Sequence, residues 1–301
     1  MFGHPRSGLD ALLHRPKPTQ WQLFIASPCK FLARLLYDLQ QQRHTRNRRS
    51  RGTKVICISN THNNQPEVPY GDILIHAGDL TQGGTLDEMS TAFSWLRTFP
   101  HPSKVIIAGN HDVCLESEER AKLEWKGITY LQDSATEVSL PGGSSQWVYG
   151  SAWTPTPGAW AFQYARHEDP WTDCLDMRCN ILVTHMPPRF RLDVAGYGDD
   201  NLLRELWRTR PRLYFFGHVH AGYGRELVVY DRFQALYEKI CRGPSGWIGG
   251  VKAVFDLIKM SARFIGFRAC SRGESGTVLV NAAIVGGLKD TERREPVIEY
   301  L

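Results

Sequence analysis

The chain has 301 residues, of which 42% are hydrophobic and 22% charged, with a formal net charge of +5. That balance excludes a disordered chain and a membrane-embedded one, and the length suits one α/β catalytic domain with appendages. Residues 1–54 hold eleven Lys or Arg against Asp10 and Asp38, which leaves −4 for the remainder, so the main body gives no support for a specific nucleic-acid partner.

In chain order, residues 21–37 come first: an apolar stretch carrying Lys30, Arg34 and Pro28, short of the ~20 uninterrupted apolar residues that span a bilayer. It reads as a helix packed on the domain surface, followed by a solvated basic linker from Arg43 to Arg51. A sharper reading is an amphipathic helix on an anionic membrane surface with a polybasic tail. An Arg-rich transit peptide is a third. The seven cysteines form no CxxC pair, and without a signal peptide the expected compartment is reducing and intracellular, the cytoplasm first.

From Lys54 the pattern alternates strands with helices. Val55 to Ile58, Ile73 to Ala77, Val105 to Ala108, Ile181 to Thr184 and Leu213 to Phe216 are short apolar runs of the kind buried on both faces. Further strands are expected at Ile128 to Leu131, Trp147 to Gly150, Leu227 to Tyr230 and Val278 to Val280. Leu86 to Phe99 has helical spacing at Met89, Phe93 and Leu96, and Leu202, Leu203, Leu206 and Trp207 mark another helix. The early βαβ rhythm and the strand-rich later half predict stacked sheets with helices outside.

The strand ends carry the chemistry. The five strongest runs deliver, in turn, Asn60 and His62; Asp79; Asn110 and His111; His185; and His218 and His220. A lone histidine after a strand is ordinarily a loop residue, but five successive strand ends form a pattern. Imidazole, amide and carboxylate groups suit borderline divalent metals rather than Ca²⁺, and these eight side chains are enough for two ions. A structural zinc site would favour paired cysteines, which are absent here.

Asn60-Thr61-His62, Gly78-Asp79, Gly109-Asn110-His111-Asp112, His185 and Gly217-His218-Val219-His220 resemble, in order, the five-block signature of the calcineurin-like metallophosphoesterases. Connecting stretches such as Leu74 to Asp79, Tyr130 to Ser134, Trp153-Thr154-Pro155 and Thr184 to Pro188 are similar to the metallophosphoesterase-domain-containing subfamily. The resemblance implies a four-layer α/β/β/α sandwich around a dimetal centre. Position by position it implies that Asn60, His62 and His220 bind one metal, that Asn110, His185 and His218 bind the other, and that Asp79 bridges them. It implies His111 as the acid or phosphate-binding imidazole and Asp112 as the partner that orients it. The implied activity is hydrolysis of a phosphodiester, cyclic nucleotides included, or of a phosphomonoester, by metal-activated water. The ions would be Mn²⁺, Fe²⁺/Fe³⁺, Zn²⁺ or Mg²⁺.

One position departs from the pattern. The signature has Asp where this chain has Asn60, and an amide oxygen supplies no net charge to offset two divalent cations. The expectation is weaker or unequal metal occupancy. The alternative function is a catalytically weakened or inactive binding protein on the same fold. Trp153, Trp160, Phe162 and Tyr197 are candidates to line a pocket, although aromatics in such segments more often fill core.

A segment from Asp231 to about residue 275 departs from the compact subfamily pattern. Trp247, Ile248, Val251, Phe255, Ile258, Met260, Ile265 and Phe267 give it an apolar helical face, opposite Lys252, Asp256, Lys259 and Arg263. The expected organisation is an N-terminal helix and linker at 1–52, a metallophosphoesterase domain at 53–230 and 276–301, and a helical insertion at 231–275. Peripheral membrane contact is expected, if anywhere, through residues 21–51 and 247–267.

Overall fold

The computed structural model describes residues 19–45, 52–140, 143–156, 158–172, 174–175, 178–194, 196–243, 246–266, 276–286 and 291–301. Among these the α-helices are α1 (Gln20–Ala26), α2 (Pro28–Thr45), α3 (Leu86–Arg97), α4 (Asp200–Thr209), α5 (Arg232–Arg242) and α6 (Gly246–Gly266). The strands are β1 (Lys54–Ile58), β2 (Ile73–Ala77), β3 (Ser103–Ile107), β4 (Thr129–Tyr130), β5 (Ser134–Ser139), β6 (Ser145–Ser151), β7 (Thr154–Pro155) and β8 (Gln163–Tyr164). They continue with β9 (Ile181–Thr184), β10 (Leu213–Phe216), β11 (Gly224–Val228), β12 (Thr277–Asn281), β13 (Val285–Gly286), β14 (Glu292–Arg293) and β15 (Val297–Tyr300). Two compact units result, one of residues 44–230 with 272–301, the other of residues 1–43 with 231–271.

Two large sheets form the larger unit, with two-stranded pairs β7-β8 and β13-β14 beside them. One has the order β15-β1-β2-β3-β4, parallel except for β15. The other has the order β11-β12-β10-β9-β6-β5, with parallel strands inside and antiparallel β11 and β5 at the edges. Alternation along the strands sorts the side chains into layers. Val55, Cys57, Ile75 and Val105 face Val148, Ile181, Val183, Phe215 and Val280 across the space between the sheets. Ile56, Ile58, Leu74 and Ile106 turn the other way onto Met89, Phe93 and Leu96 of α3. On the far sheet Leu182, Tyr214, Phe216 and Leu279 cover Leu203 and Leu206 of α4. The fold is therefore the four-layer α/β/β/α sandwich.

Local signals set the helix starts. Thr85 caps α3 and its side chain accepts from Glu88 N–H, while Glu88 reaches back to Thr85 N–H, a complete capping box. Ser134–Ser139 had no apolar run to announce it, because as an edge strand it buries only Val138. The strand expected at Leu227 to Tyr230 instead spans Gly224–Val228, where its hydrogen-bonding partner is β12.

The smaller unit has a core of its own. Tyr37 of α2 stacks on Tyr237 of α5, ring centroids 4.1 Å apart, and Ala33, Phe233, Ile240, Val254 and Leu257 close around them. The N-terminal helix and the helical insertion thus pack on each other. Trp21, Ile25, Leu35, Leu39, Phe255 and Ile258 of this unit are exposed. Among the described residues no helix is long and apolar enough to cross a membrane. Most of the linker from Arg43 to Arg51, and residues 267–275 of the insertion, lie outside the described residues.

Phe215, fully buried between the two sheets, has no solvent route by which its neighbours could relax. Phe215→Ala is expected to cost about 3–5 kcal/mol, read as a lowered urea midpoint of unfolding.

Candidate metal centre

Parallel strands send their C-terminal ends to one edge, and here both sheets do so toward the same place. Loops after β1, β2 and β3 bring Asn60, His62, Asp79, Asn110 and His111, and loops after β9 and β10 bring His185, His218 and His220. Four of these adopt left-handed backbone: Asn60 (φ 52°), His62 (45°), Asp79 (56°) and His218 (60°). Non-glycine residues seldom occupy that region, and such strain concentrates at functional sites. Two glycines permit the close approach. A Cβ on Gly109 would collide with Asp79 Oδ1, and one on Gly217 with Ser59 Oγ.

Asp79 is the hub. Its Oδ2 lies 3.1 Å from His185 Nε2 and 3.7 Å from His62 Nε2. His62 Nε2 is 3.3 Å from His220 Nε2. His218 Nδ1 is 3.3 Å from His185 Nε2, and Asn110 Oδ1 is 2.9 Å from His218 Nδ1 and 3.2 Å from His185 Nε2. Donor atoms of Asp79, His185 and His218, and separately of Asp79, His62 and His111, fall within 4.8 Å of one another.

These spacings fit bound cations. Donors on a tetrahedral ion with bonds of ~2.0–2.1 Å sit roughly 3.3 Å apart, which is the separation of both histidine pairs. The tautomers also agree. His185 Nδ1–H donates to the Ala77 carbonyl at 2.9 Å, which leaves the Nε2 lone pair for the site.

A model of the calcineurin-like phosphoesterase family matches residues 53–222. The chain belongs to that family. It is 38% identical over 302 residues to a protein of Emericella nidulans named "Probable rhamnogalacturonate lyase C", with 97% of this chain and 28% of that protein covered. It is 33% identical over 207 residues to human "Metallophosphoesterase domain-containing protein 1", with 57% of this chain and 62% of that protein covered. The chain therefore spans less than two thirds of either relative. A solved structure from Thermus thermophilus covers 60% of this chain and 86% of its own, at 14% identity and a TM-score of 0.45.

Within this calcineurin-like phosphoesterase, three residues stand in other surroundings than expected. His111 is not oriented by Asp112: its Nδ1–H donates to the Gln82 carbonyl at 2.8 Å. Asp112 is fully buried and accepts from the N–H groups of Gly109, Leu80 and Thr81 and from the Thr81 hydroxyl. It ties the loop after β2 to the loop after β3, a structural task. No side-chain signal marks Gln82, since it acts through its backbone. Asn60 directs its Nδ2–H at Asp79 Oδ2, 2.7 Å away, rather than an oxygen. Of the candidate pocket aromatics, Trp160 lies 4.4 Å from the His111 ring, centroid to centroid, and is half exposed. Its loop is held by Ala161 N–H donating to the Asn110 carbonyl. Phe162 is core, Trp153 packs beside it, and Tyr197 is exposed.

The electrostatics follow from burial around one carboxylate. Burial opposes ionisation of Asp79, but His185 and His62 beside it more than offset that and hold it well below the usual range. Burial likewise opposes a charge on His185, and Asp79 with the Ala77 carbonyl nevertheless raise it. Burial, reinforced by the charge on His185, lowers His218 to about 3, and burial lowers His76 to about 3. Burial and the neighbouring Asp79 push Asp112 up to about 6.

These shifts give the metal-free protein a stability optimum. Below the ordinary histidine value of ~6.5, the unfolded chain takes up protons on His76 and His218 that the folded chain refuses, so acidification toward 3 destabilises it. The contribution of the His185–Asp79 pair is fully present below ~6.5 and is lost as pH rises through the raised folded value of His185. Thermal melts in EDTA are expected to peak near pH ~6.5, and Mn²⁺ is expected to move the peak upward because it displaces the His185 proton.

Proposed function

We propose that this chain hydrolyses phosphate esters, phosphodiesters first, at a centre with two metal positions that share Asp79. The observation that carries the reading is the pair of donor groups converging on one carboxylate, each with histidine nitrogens at the spacing a bound cation requires. Asn110, His185 and His218 serve one position and His62 and His220 the other. Bound divalent ions, Mn²⁺, Fe²⁺/Fe³⁺, Zn²⁺ or Mg²⁺, would supply Lewis acidity toward phosphate oxygens and an activated water.

The protein's own part is positioning and proton transfer. His111, held by Gln82, delivers a proton through Nε2 to the leaving oxygen. Trp160 shields one side of that imidazole and offers its outer face to the substrate, which suits a leaving group with an aromatic ring, as in a cyclic nucleotide. No serine or cysteine nucleophile is called for. The lyase activity in the fungal relative's name is not transferred here, because the match covers only 28% of that protein. A second reading, a weakened or inactive binding protein, draws on Asn60, which turns an N–H toward the carboxylate where the family has a charged ligand.

Turnover of bis-p-nitrophenyl phosphate and of a 2′,3′-cyclic nucleotide with Mn²⁺ separates the two. Hydrolysis is expected, with His111→Gln lowering kcat by about 10²–10⁴-fold. No turnover with any of the candidate metals would establish the binding-protein reading.

We propose further that the helical unit rests on an anionic membrane surface. Its sequence holds thirteen Lys or Arg against five Asp or Glu, a net of +8, which leaves −3 for the larger unit. Trp21, Ile25, Phe255 and Ile258 are exposed on it, and Lys259 Nζ lies over the Phe255 ring, 4.4 Å from its centroid, a cation beside an exposed aromatic. The protein is expected to pellet with phosphatidylserine-containing vesicles, less so in high salt, and Phe255→Ser to reduce the bound fraction. Equal recovery in the supernatant with and without vesicles would refute this.

A further inference from the structure

We infer that Asn60 makes the centre a one-ion site at rest: its amide N–H takes the place of a cation at Asp79, so the position served by His62 and His220 fills at least about tenfold more weakly than the other. The inference rests on the metal-centre reading above and goes beyond it in ranking the two positions.

The orientation of the amide is fixed by a group that cannot change its role. The backbone N–H of His218 is an obligate donor, and the Asn60 atom 2.9 Å from it must be the oxygen. The Ser59 hydroxyl lies 2.8 Å from the same oxygen and also reaches the Ala77 and Gly78 carbonyls at 2.9 and 3.2 Å, which share its one proton. The NH₂ group is thereby turned toward Asp79 Oδ2, at 2.7 Å. Asn60 is fully buried, so water cannot take over any of these bonds.

Asp79 has little left to give on that side. Its Oδ1 accepts from the His111 backbone N–H at 3.0 Å, so Oδ2 is the oxygen that faces the imidazoles, and Asn60 already donates to it. For Asn60 to ligate a metal through oxygen, the amide would have to turn over and set its NH₂ against the His218 N–H. Donor would then face donor in a buried site. The His62–His220 side is left with two imidazoles, a shared carboxylate and the positive end of an amide dipole. The other side keeps the Asn110 oxygen beside His185 and His218.

An aspartate at this position would behave differently. One carboxylate oxygen would accept from His218 N–H as the amide oxygen does now, while the second would meet Asp79 Oδ2 where Nδ2 stands. Two buried carboxylate oxygens in contact need a cation or a shared proton between them, and at neutral pH a bound cation serves with no proton uptake. Asn60 therefore exchanges affinity for a second ion for a fold that stands without it.

Equilibrium dialysis against Mn²⁺ with elemental analysis tests this without any activity assay, alongside thermal melts in EDTA. Expected for the native chain is one tight ion and a second at least tenfold weaker. Asn60→Asp is expected to take two ions of similar affinity, to melt lower in EDTA, and to gain more from Mn²⁺. Two ions within threefold of each other in the native chain, or a single ion in a folded Asn60→Asp, would overturn the inference and leave the phosphoesterase proposal standing. No ion in either protein would remove the metal-centre reading and this inference with it. If Asn60→Asp folds only with metal, the native titration decides.

Discussion

A buried carboxylate must be compensated where it sits, and in this protein that requirement organises one whole edge of the sandwich. Asp79 is nearly inaccessible to water, and the groups in contact with its carboxylate oxygens include donors and potential cations: the His111 N–H, the Asn60 amide, His185 and His62. Such a group can be stable only if its neighbours are held to tight tolerances. The left-handed turns at Asn60, His62, Asp79 and His218 and the side-chain-free positions at Gly109 and Gly217 are the local cost of that arrangement. They are sustained by two parallel sheets whose strands all end at the same edge.

The same requirement explains why Asp112 matters without touching the reacting groups. It is a second buried carboxylate, and its partners are backbone N–H groups from two loops rather than ligands. It holds the turn after β3 against the turn after β2, which sets the distance between His111 and Asp79. Ser59 does the corresponding work across the sandwich. Its backbone pairs with Ala282 and Ile284 beyond β12, and its hydroxyl reaches Ala77 and Asn60. The two sheets are thus joined at the site by hydrogen bonds as well as by the apolar layer beneath it.

How much of this the sequence could disclose follows from the range of each interaction. Strands β1, β2, β9 and β10 were legible because both of their faces are buried, which leaves uninterrupted apolar runs, and the side chains just beyond them were legible as one cluster of donors. Strand β5 was not, since an edge strand with one buried side chain reads like a loop. The orientation of Asn60 was hidden for a stronger reason. It depends on the backbone N–H of a residue 158 positions away, and a backbone donor has no letter in the sequence. Gln82 takes the orienting role expected of Asp112 for the same reason, through a backbone carbonyl that spacing cannot assign.

The metal positions and the helical unit share a physical theme, which is where charge is placed. The larger unit carries net negative charge while the helical unit and leader are strongly positive. At the centre, Asn60 sets an amide hydrogen bond to Asp79 where the family signature has a carboxylate. On the proposal of two ions sharing Asp79, a site with one carboxylate and imidazoles would bind cations less strongly, and its folded geometry would not depend on them. The phosphate group of the proposed substrate would then bring the negative charge that Asn60 does not provide, so that substrate and second ion would favour each other's binding. On that view the substitution does not mark decay of the centre. It shifts one metal from a structural component toward a co-ligand.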